Sequence, residues 1–145
     1  MIDKEKILSK LDEMDHYIEE LETIKPEDLE AYINSIEKKR ACERLLQIAI
    51  ESVIDICNIL VSNLHLGIPA DEDELIEKLN QKKIISENIK NIIKSMKGFR
   101  NILVHKYGAV DDELVFENLE KIPDFEIFKE EILSFLTKNN SKAKI

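Results

Sequence analysis

Between Gly98 and Gly108 the chain reads Gly-Phe-Arg-Asn-Ile-Leu-Val-His-Lys-Tyr-Gly, setting Arg100, Asn101, His105 and Tyr107 beside the apolar Phe99, Ile102 and Leu103. This set suits cleavage of a phosphodiester in RNA. A neutral imidazole can take the proton of a 2′-hydroxyl, a protonated one can give a proton to the leaving 5′-oxygen, and a guanidinium can hold the phosphorus-centred dianion through paired hydrogen bonds. On a helix Asn101 and His105 share a face, whereas Arg100 points about 140° from His105 and nearly in line with Tyr107. One straight helix does not aim Arg100 and His105 at one small ligand. A bend at Gly98 would do so, as would a second copy across a two-fold axis, which would also supply a second imidazole to serve as acid while the first serves as base. By residue types alone, a half-buried, hydrogen-bonded Arg/His pair is the more ordinary reading.

The other titratable groups suggest less. Glu13 and His16 have the Glu-x-x-His spacing of a carboxylate di-metal bundle, but such a site needs two copies and further inward acids, and the sequence holds one copy; no metal site and no cofactor is expected. His65 falls at a helix end, where an imidazolium is favourable beside the last carbonyls. Arg44, Gln47, Glu51, Asp55, Asn58 and Ser62 follow one another at three- and four-residue steps, a polar line on an otherwise apolar helix. Along it Glu51 and Asp55 are candidates to orient a functional Arg or His from another helix, with plain surface exposure an equal alternative. Cys42 and Cys57 lie fifteen residues apart, roughly 22 Å along one helix, beyond the reach of a disulfide; they read as buried structural thiols.

The elements that must position these residues are helical. The chain has 145 residues and 16.9 kDa, the size of one domain, with no Trp, only 6% aromatics and a core to be made from Ile and Leu. Three Gly and three Pro are too few for the turns of an all-β domain. Ile7, Leu8, Leu11, Met14, Ile18 and Leu21 form the stripe of a first amphipathic helix. From Pro26 to about Leu66 no Gly or Pro occurs, which predicts one long helix of about forty residues. Its second half is apolar on more than one stripe and must touch partners on two sides. Asp71 with Glu74 predicts a capped third helix from about Asp73 to Lys83. A fourth follows from Ser86 to Tyr107, then a short one to about Lys121, then a last one from Pro123. The expected architecture is an all-α up-and-down bundle of four to six helices, one domain over residues 1–138 with a disordered tail over 139–145. The first residues lack a signal pattern, and no apolar run approaches the ~18 residues of a membrane span; a cytoplasmic protein that avoids the membrane is expected.

The net charge is −9, with 21 Lys and Arg against 30 Asp and Glu. Between Lys78 and Lys106, however, eight basic residues meet the single acid Glu87, so one stretch of an acidic body can attract a polyanion. Lys94, Lys97 and Lys106 are the candidate RNA contacts, with a solvated lysine-dressed face as the alternative.

Arg100-Asn101-x-x-x-His105-x-Tyr107 resembles the Arg-x4-His-x-Tyr motif of the HEPN ribonuclease toxins of the HepT type, small helical partners of minimal nucleotidyltransferases in prokaryotic type VII toxin–antitoxin pairs. The stretch Ala41 to Cys57, with Glu43, Arg44, Glu51 and Asp55, is similar to that family's long second helix, so the resemblance covers most of the chain. It implies a metal-independent endoribonuclease acting as a homodimer whose two motifs line one cleft, with Arg100 and His105 catalytic and Asn101 supporting. It also implies that Tyr107 is the residue to which the partner nucleotidyltransferase antitoxin attaches adenylate, silencing the enzyme. Some HEPN domains are noncatalytic, so a helical subunit that binds a nucleotidyltransferase or nucleic acid without cutting it is the alternative.

Overall fold

The computed structural model describes residues 1–105 and 110–143, with side chains described through Asn139. Among the described residues there are seven helices and no strand: α1 (Lys4–Ile24), α2 (Leu29–Ile33), α3 (Ile36–Asn63), α4 (Glu72–Gln81), α5 (Glu87–His105), α6 (Asp112–Glu120) and α7 (Pro123–Ala143). The all-α expectation holds, and α3 is the helix the others surround. It packs against α1, α2, α4, α5 and α6, burying among others Leu46, Ile50, Val53, Ile54, Ile56, Leu60 and Val61. That two-sided burial accounts for its composition. By length and composition alone α3 could cross a bilayer, but its apolar residues face other helices of the bundle. Cys42 and Cys57 are buried on it as free thiols, and burial pushes the Cys57 thiol up to about 12.

The single forty-residue helix expected from Pro26 does not form. Asn34 closes α2 and Ser35 opens α3, its hydroxyl accepting from Lys38 N at 3.3 Å. Asn and Ser offer local hydrogen bonds that compete with the helical ladder, so a helix can be cut without Gly or Pro. Pro26 is buried in the connection ahead of α2, and Asp28 caps that helix by accepting from Ala31 N at 2.8 Å.

The ends of α3 and α4 share one geometry. His65 takes a positive φ of 53°, with its N–H on Ser62 O and that of Leu66 on Val61 O. Lys83 repeats the pattern at φ 59°, with its N–H on Asn80 O and that of Ile84 on Leu79 O. Both are left-handed closures that satisfy the last carbonyls through backbone bonds. The carbonyls His65 was expected to serve are thus met by main chain. The helix α7 runs to Ala143, past Asn139 where the sequence suggested a tail.

Few rings enter the core. Tyr32 and Phe128 are fully buried, and Tyr32 meets Phe116 edge to face with ring centroids 6.2 Å apart. The remaining volume is filled mainly by Ile and Leu, as composition required.

Candidate active site

Helix α5 buries Ile89, Ile93, Met96 and Phe99, a three- and four-residue repeat that seats it against α3 and α4. One position further on, Lys90, Lys94, Lys97 and Arg100 form a second stripe along the flank that meets α4. The first two turns of α4 present Glu72, Asp73 and Glu77 to it. Lys97 Nζ is 2.8 Å from Asp73 Oδ1, Lys94 pairs with Glu77, and Arg100 pairs with Glu72. Lys90 lies 2.8 Å from Glu87 and 3.8 Å from Glu77. Four cations thus meet four carboxylates. The hydrogen bond from Lys97 holds the Asp73 carboxyl below its ordinary range, that from Lys94 does the same for Glu77, and Glu87 raises Lys90.

Arg100 is the end of this ladder. Its side chain is only 15% exposed, Nη2 donates to Glu72 Oε1, and Nε is buried with no acceptor among the described residues. His105 is the last residue of α5 and is exposed, and Asn101 is half-buried. Gly98 lies ahead of both Arg100 and His105, so a bend there would leave their relative direction unchanged, and both residues belong to the one helix α5. Arg100 faces α4 while His105 stands at the open helix end. Lys106 and Tyr107, the remaining expected contact and modification residues, lie outside the described residues.

The acids expected to serve the site are placed elsewhere. Glu51 accepts from Gln47 Nε2 at 3.1 Å, and Asp55 lies 3.5 Å from Lys10 Nζ. The bond of Glu51 stays within α3 and that of Asp55 crosses to α1, and among the described residues the carboxylate that meets Arg100 is Glu72, which sequence reasoning missed. Its signal was present: Glu72, Asp73 and Glu77 directly precede the basic stretch, and a helical hairpin brings such segments side by side. Lys94 and Lys97, read as free for RNA, are the cations these acids occupy. Glu13 is bound to Lys10 at 3.3 Å and the His16 ring to Asp12 O at 2.9 Å. Among the described residues no group of three or more His, Cys, Asp or Glu side chains is placed to hold a metal ion.

The structure is an all-α bundle whose basic helix ends in Arg-Asn-x-x-x-His, with a half-buried guanidinium and an exposed imidazole, the groups that RNA cleavage uses. Comparison with known proteins agrees: residues 14–132 match the family model described as ribonuclease HepT-like, and the chain belongs to that family of endoribonucleases. It is 28% identical over 131 residues to the tRNA nuclease HepT of Aphanizomenon flos-aquae, covering 90% of this chain and 89% of that one. It is 33% identical over 84 residues to the mRNA nuclease HepT of Shewanella oneidensis, covering 57% and 63%. Among solved structures, the tri-AMPylated Shewanella oneidensis HEPN toxin in complex with MNT antitoxin superposes with a TM-score of 0.82 at 26% identity, covering 92% of this chain and 99% of that one. A toxin–antitoxin crystal structure with AMP-PNP gives 0.81 at 25% identity, covering 88% and 97%.

Proposed function

We propose that this protein is the toxin of a prokaryotic toxin–antitoxin pair, a homodimeric, metal-independent endoribonuclease that a partner MNT nucleotidyltransferase silences by attaching adenylate to Tyr107. The observation that carries the reading is the end of α5, where a held, half-buried Arg100 precedes an exposed His105 in a chain of the HepT-like family. In this reading RNA lies across two copies of that helix end. One His105 imidazole accepts the 2′-hydroxyl proton as the oxygen attacks phosphorus, and the other, protonated, gives its proton to the departing 5′-oxygen. Arg100 donates to the equatorial oxygens as their charge grows. Asn101 supports the same contact, Lys94 and Lys97 meet flanking phosphates once Glu77 and Asp73 yield, and Lys106 is a third phosphate contact. The reaction is placed in the cytoplasm, where RNA and the nucleotidyltransferase's ATP are both present.

The test is incubation of the purified protein with RNA. Arg100→Ala and His105→Ala should each slow cleavage by ~10² to 10⁴, the usual loss with an acid–base or charge-stabilising group, and EDTA should leave the wild type unaffected. Full activity of His105→Ala, or an EDTA loss restored by a divalent ion, refutes the mechanism. Wild-type protein that binds RNA or the nucleotidyltransferase without cutting would make it a noncatalytic subunit.

A further inference from the structure

We propose that Glu72 is the positioning residue for Arg100, holding the guanidinium by one nitrogen so that its remaining donors face the scissile phosphate; this rests on the assignment of Arg100 to the reaction. The contact runs from Nη2 to Oε1 alone, and Nε is buried with no acceptor among the described residues. A guanidinium gripped on both edges would have no fork left for phosphate, whereas this one is held on one side and incomplete on the other. The buried Nε is closed to an incoming phosphate, so the donors left to meet one are the terminal guanidinium N–H groups that Glu72 does not take.

Glu72 is suited to hold rather than merely to neutralise, because its own backbone is fixed. It follows the N-cap Asp71, whose carboxylate accepts from Glu74 N at 2.8 Å, while the Glu74 carboxylate accepts from Ala70 N at 3.1 Å. Leu75, Ile76 and Leu79 anchor the same short helix in the core. On the other side Arg100 follows the buried Phe99. The carboxylate and the guanidinium therefore project from two anchored helices, and the long Arg side chain is restrained at its tip as well as its root.

The carboxylate also competes with phosphate for the same cation, which separates its effect on turnover from its effect on binding. In single-turnover and steady-state cleavage of a defined RNA, Glu72→Ala should lower kcat by about tenfold or more, as loss of orientation does, with KM unchanged or lower. Glu72→Gln keeps an acceptor oxygen at the same reach and should restore kcat to within about threefold of wild type. Glu72→Asp keeps the charge but withdraws it by one methylene and should resemble Ala.

Undiminished kcat in Glu72→Ala would overturn the proposal and leave the acid a competitor only. Wild-type kcat in Glu72→Asp together with loss in Glu72→Gln would overturn it in favour of a charge effect. A kcat loss common to all three variants and matched by a fall in Tm would overturn it in favour of a structural role. Should Arg100→Ala itself be fully active, the functional reading fails first and separately, since that result does not involve Glu72.

Discussion

Lys97 Nζ stands 2.8 Å from Asp73 Oδ1, across the seam where α5 meets the first turns of α4. The pair is one rung of a ladder in which the helix that carries the local positive charge is covered by a helix that carries its negative. In one dimension the stretch from Lys78 to Lys106 is strongly basic; in the fold its stripe of Lys90, Lys94, Lys97 and Arg100 is neutralised by Glu72, Asp73, Glu77 and Glu87. An RNA laid on this stripe would have to exchange phosphate for carboxylate rather than meet bare cations.

Removing the competing acids should strengthen RNA binding. The double variant Asp73→Asn, Glu77→Gln leaves Lys97 and Lys94 without carboxylate partners, and each uncovered cation that reaches a phosphate steepens the dependence of log K on log salt by ~0.7 for a single strand. Fluorescence anisotropy with a labelled RNA across a salt series is the measurement, made in the His105→Ala background to prevent cleavage. Equal affinity and slope in the two backgrounds would show that RNA does not cross this face.

The same ladder predicts how stability responds to acid. Asp73 and Glu77 have folded values depressed by Lys97 and Lys94, so the unfolded chain binds protons first as the pH falls. Their contribution is fully present above the unfolded carboxylate range of about 4 and is lost as the pH drops through the lower, folded values. Thermal unfolding of wild type and the double variant should differ by a constant Tm offset at neutral pH, closing below about pH 4. Both groups are solvent-accessible, so salt should shrink the offset too. An offset that persists unchanged at low pH would assign it to packing.

How much of this could be read in one dimension depends on whether the deciding interaction is local. The stripes of α1 and α5, the Asp71 cap and the buried character of α3 all follow from spacing within one element, and they were legible. The division of α2 from α3 is not legible from Gly and Pro, because it is made by Asn34, whose backbone N–H closes α2 on Glu30 O and Tyr32 O, and by Ser35, whose hydroxyl caps α3. The acid beside Arg100 was sought along α3, in Glu51 and Asp55, because that line of polar residues was the conspicuous one. Which helix lies beside α5 is a property of the bundle, and Glu72 became visible only when α4 was laid against it. The opposed directions of Arg100 and His105 follow from the helical wheel, since both lie within the one helix α5.

Adenylylation should map to one phenol. Incubated with ATP, Mg²⁺ and its cognate MNT nucleotidyltransferase, the wild type should gain AMP by mass spectrometry and lose RNA cleavage. The added phosphodiester anion competes for Arg100, and the adenosine obstructs RNA. Tyr107→Phe should remain unmodified at that position and keep its nuclease activity. If that variant is modified and silenced as readily as wild type, Tyr32 or Tyr17 would have to be considered; Tyr32 is fully buried, which leaves Tyr17 as the phenol a second enzyme could reach.

The shared cleft makes a prediction about mixtures. Arg100 is held against α4 while His105 stands exposed at the end of the same helix, and the proposed site draws one of them from each chain. Arg100→Ala and His105→Ala homodimers each lack one function throughout. After subunit exchange, a heterodimer has one intact Arg100 and one intact His105, contributed by different chains. The heterodimer holds one of the two imidazoles that the proposed acid–base pair uses, so the mixture should recover the part of the rate that a single imidazole supports, above either parent and well below wild type. The exchange itself is checked by mixing differently labelled wild-type subunits and following energy transfer, and the oligomeric state by light scattering. A mixture that exchanges fully yet stays as inactive as its parents would mean that Arg100 and His105 must act from the same chain or that both histidines are needed at once; titrating His105→Ala into wild type then separates the two, since a requirement for both histidines removes activity with the square of the wild-type fraction. An active species of 16.9 kDa in solution would exclude the two-chain site altogether.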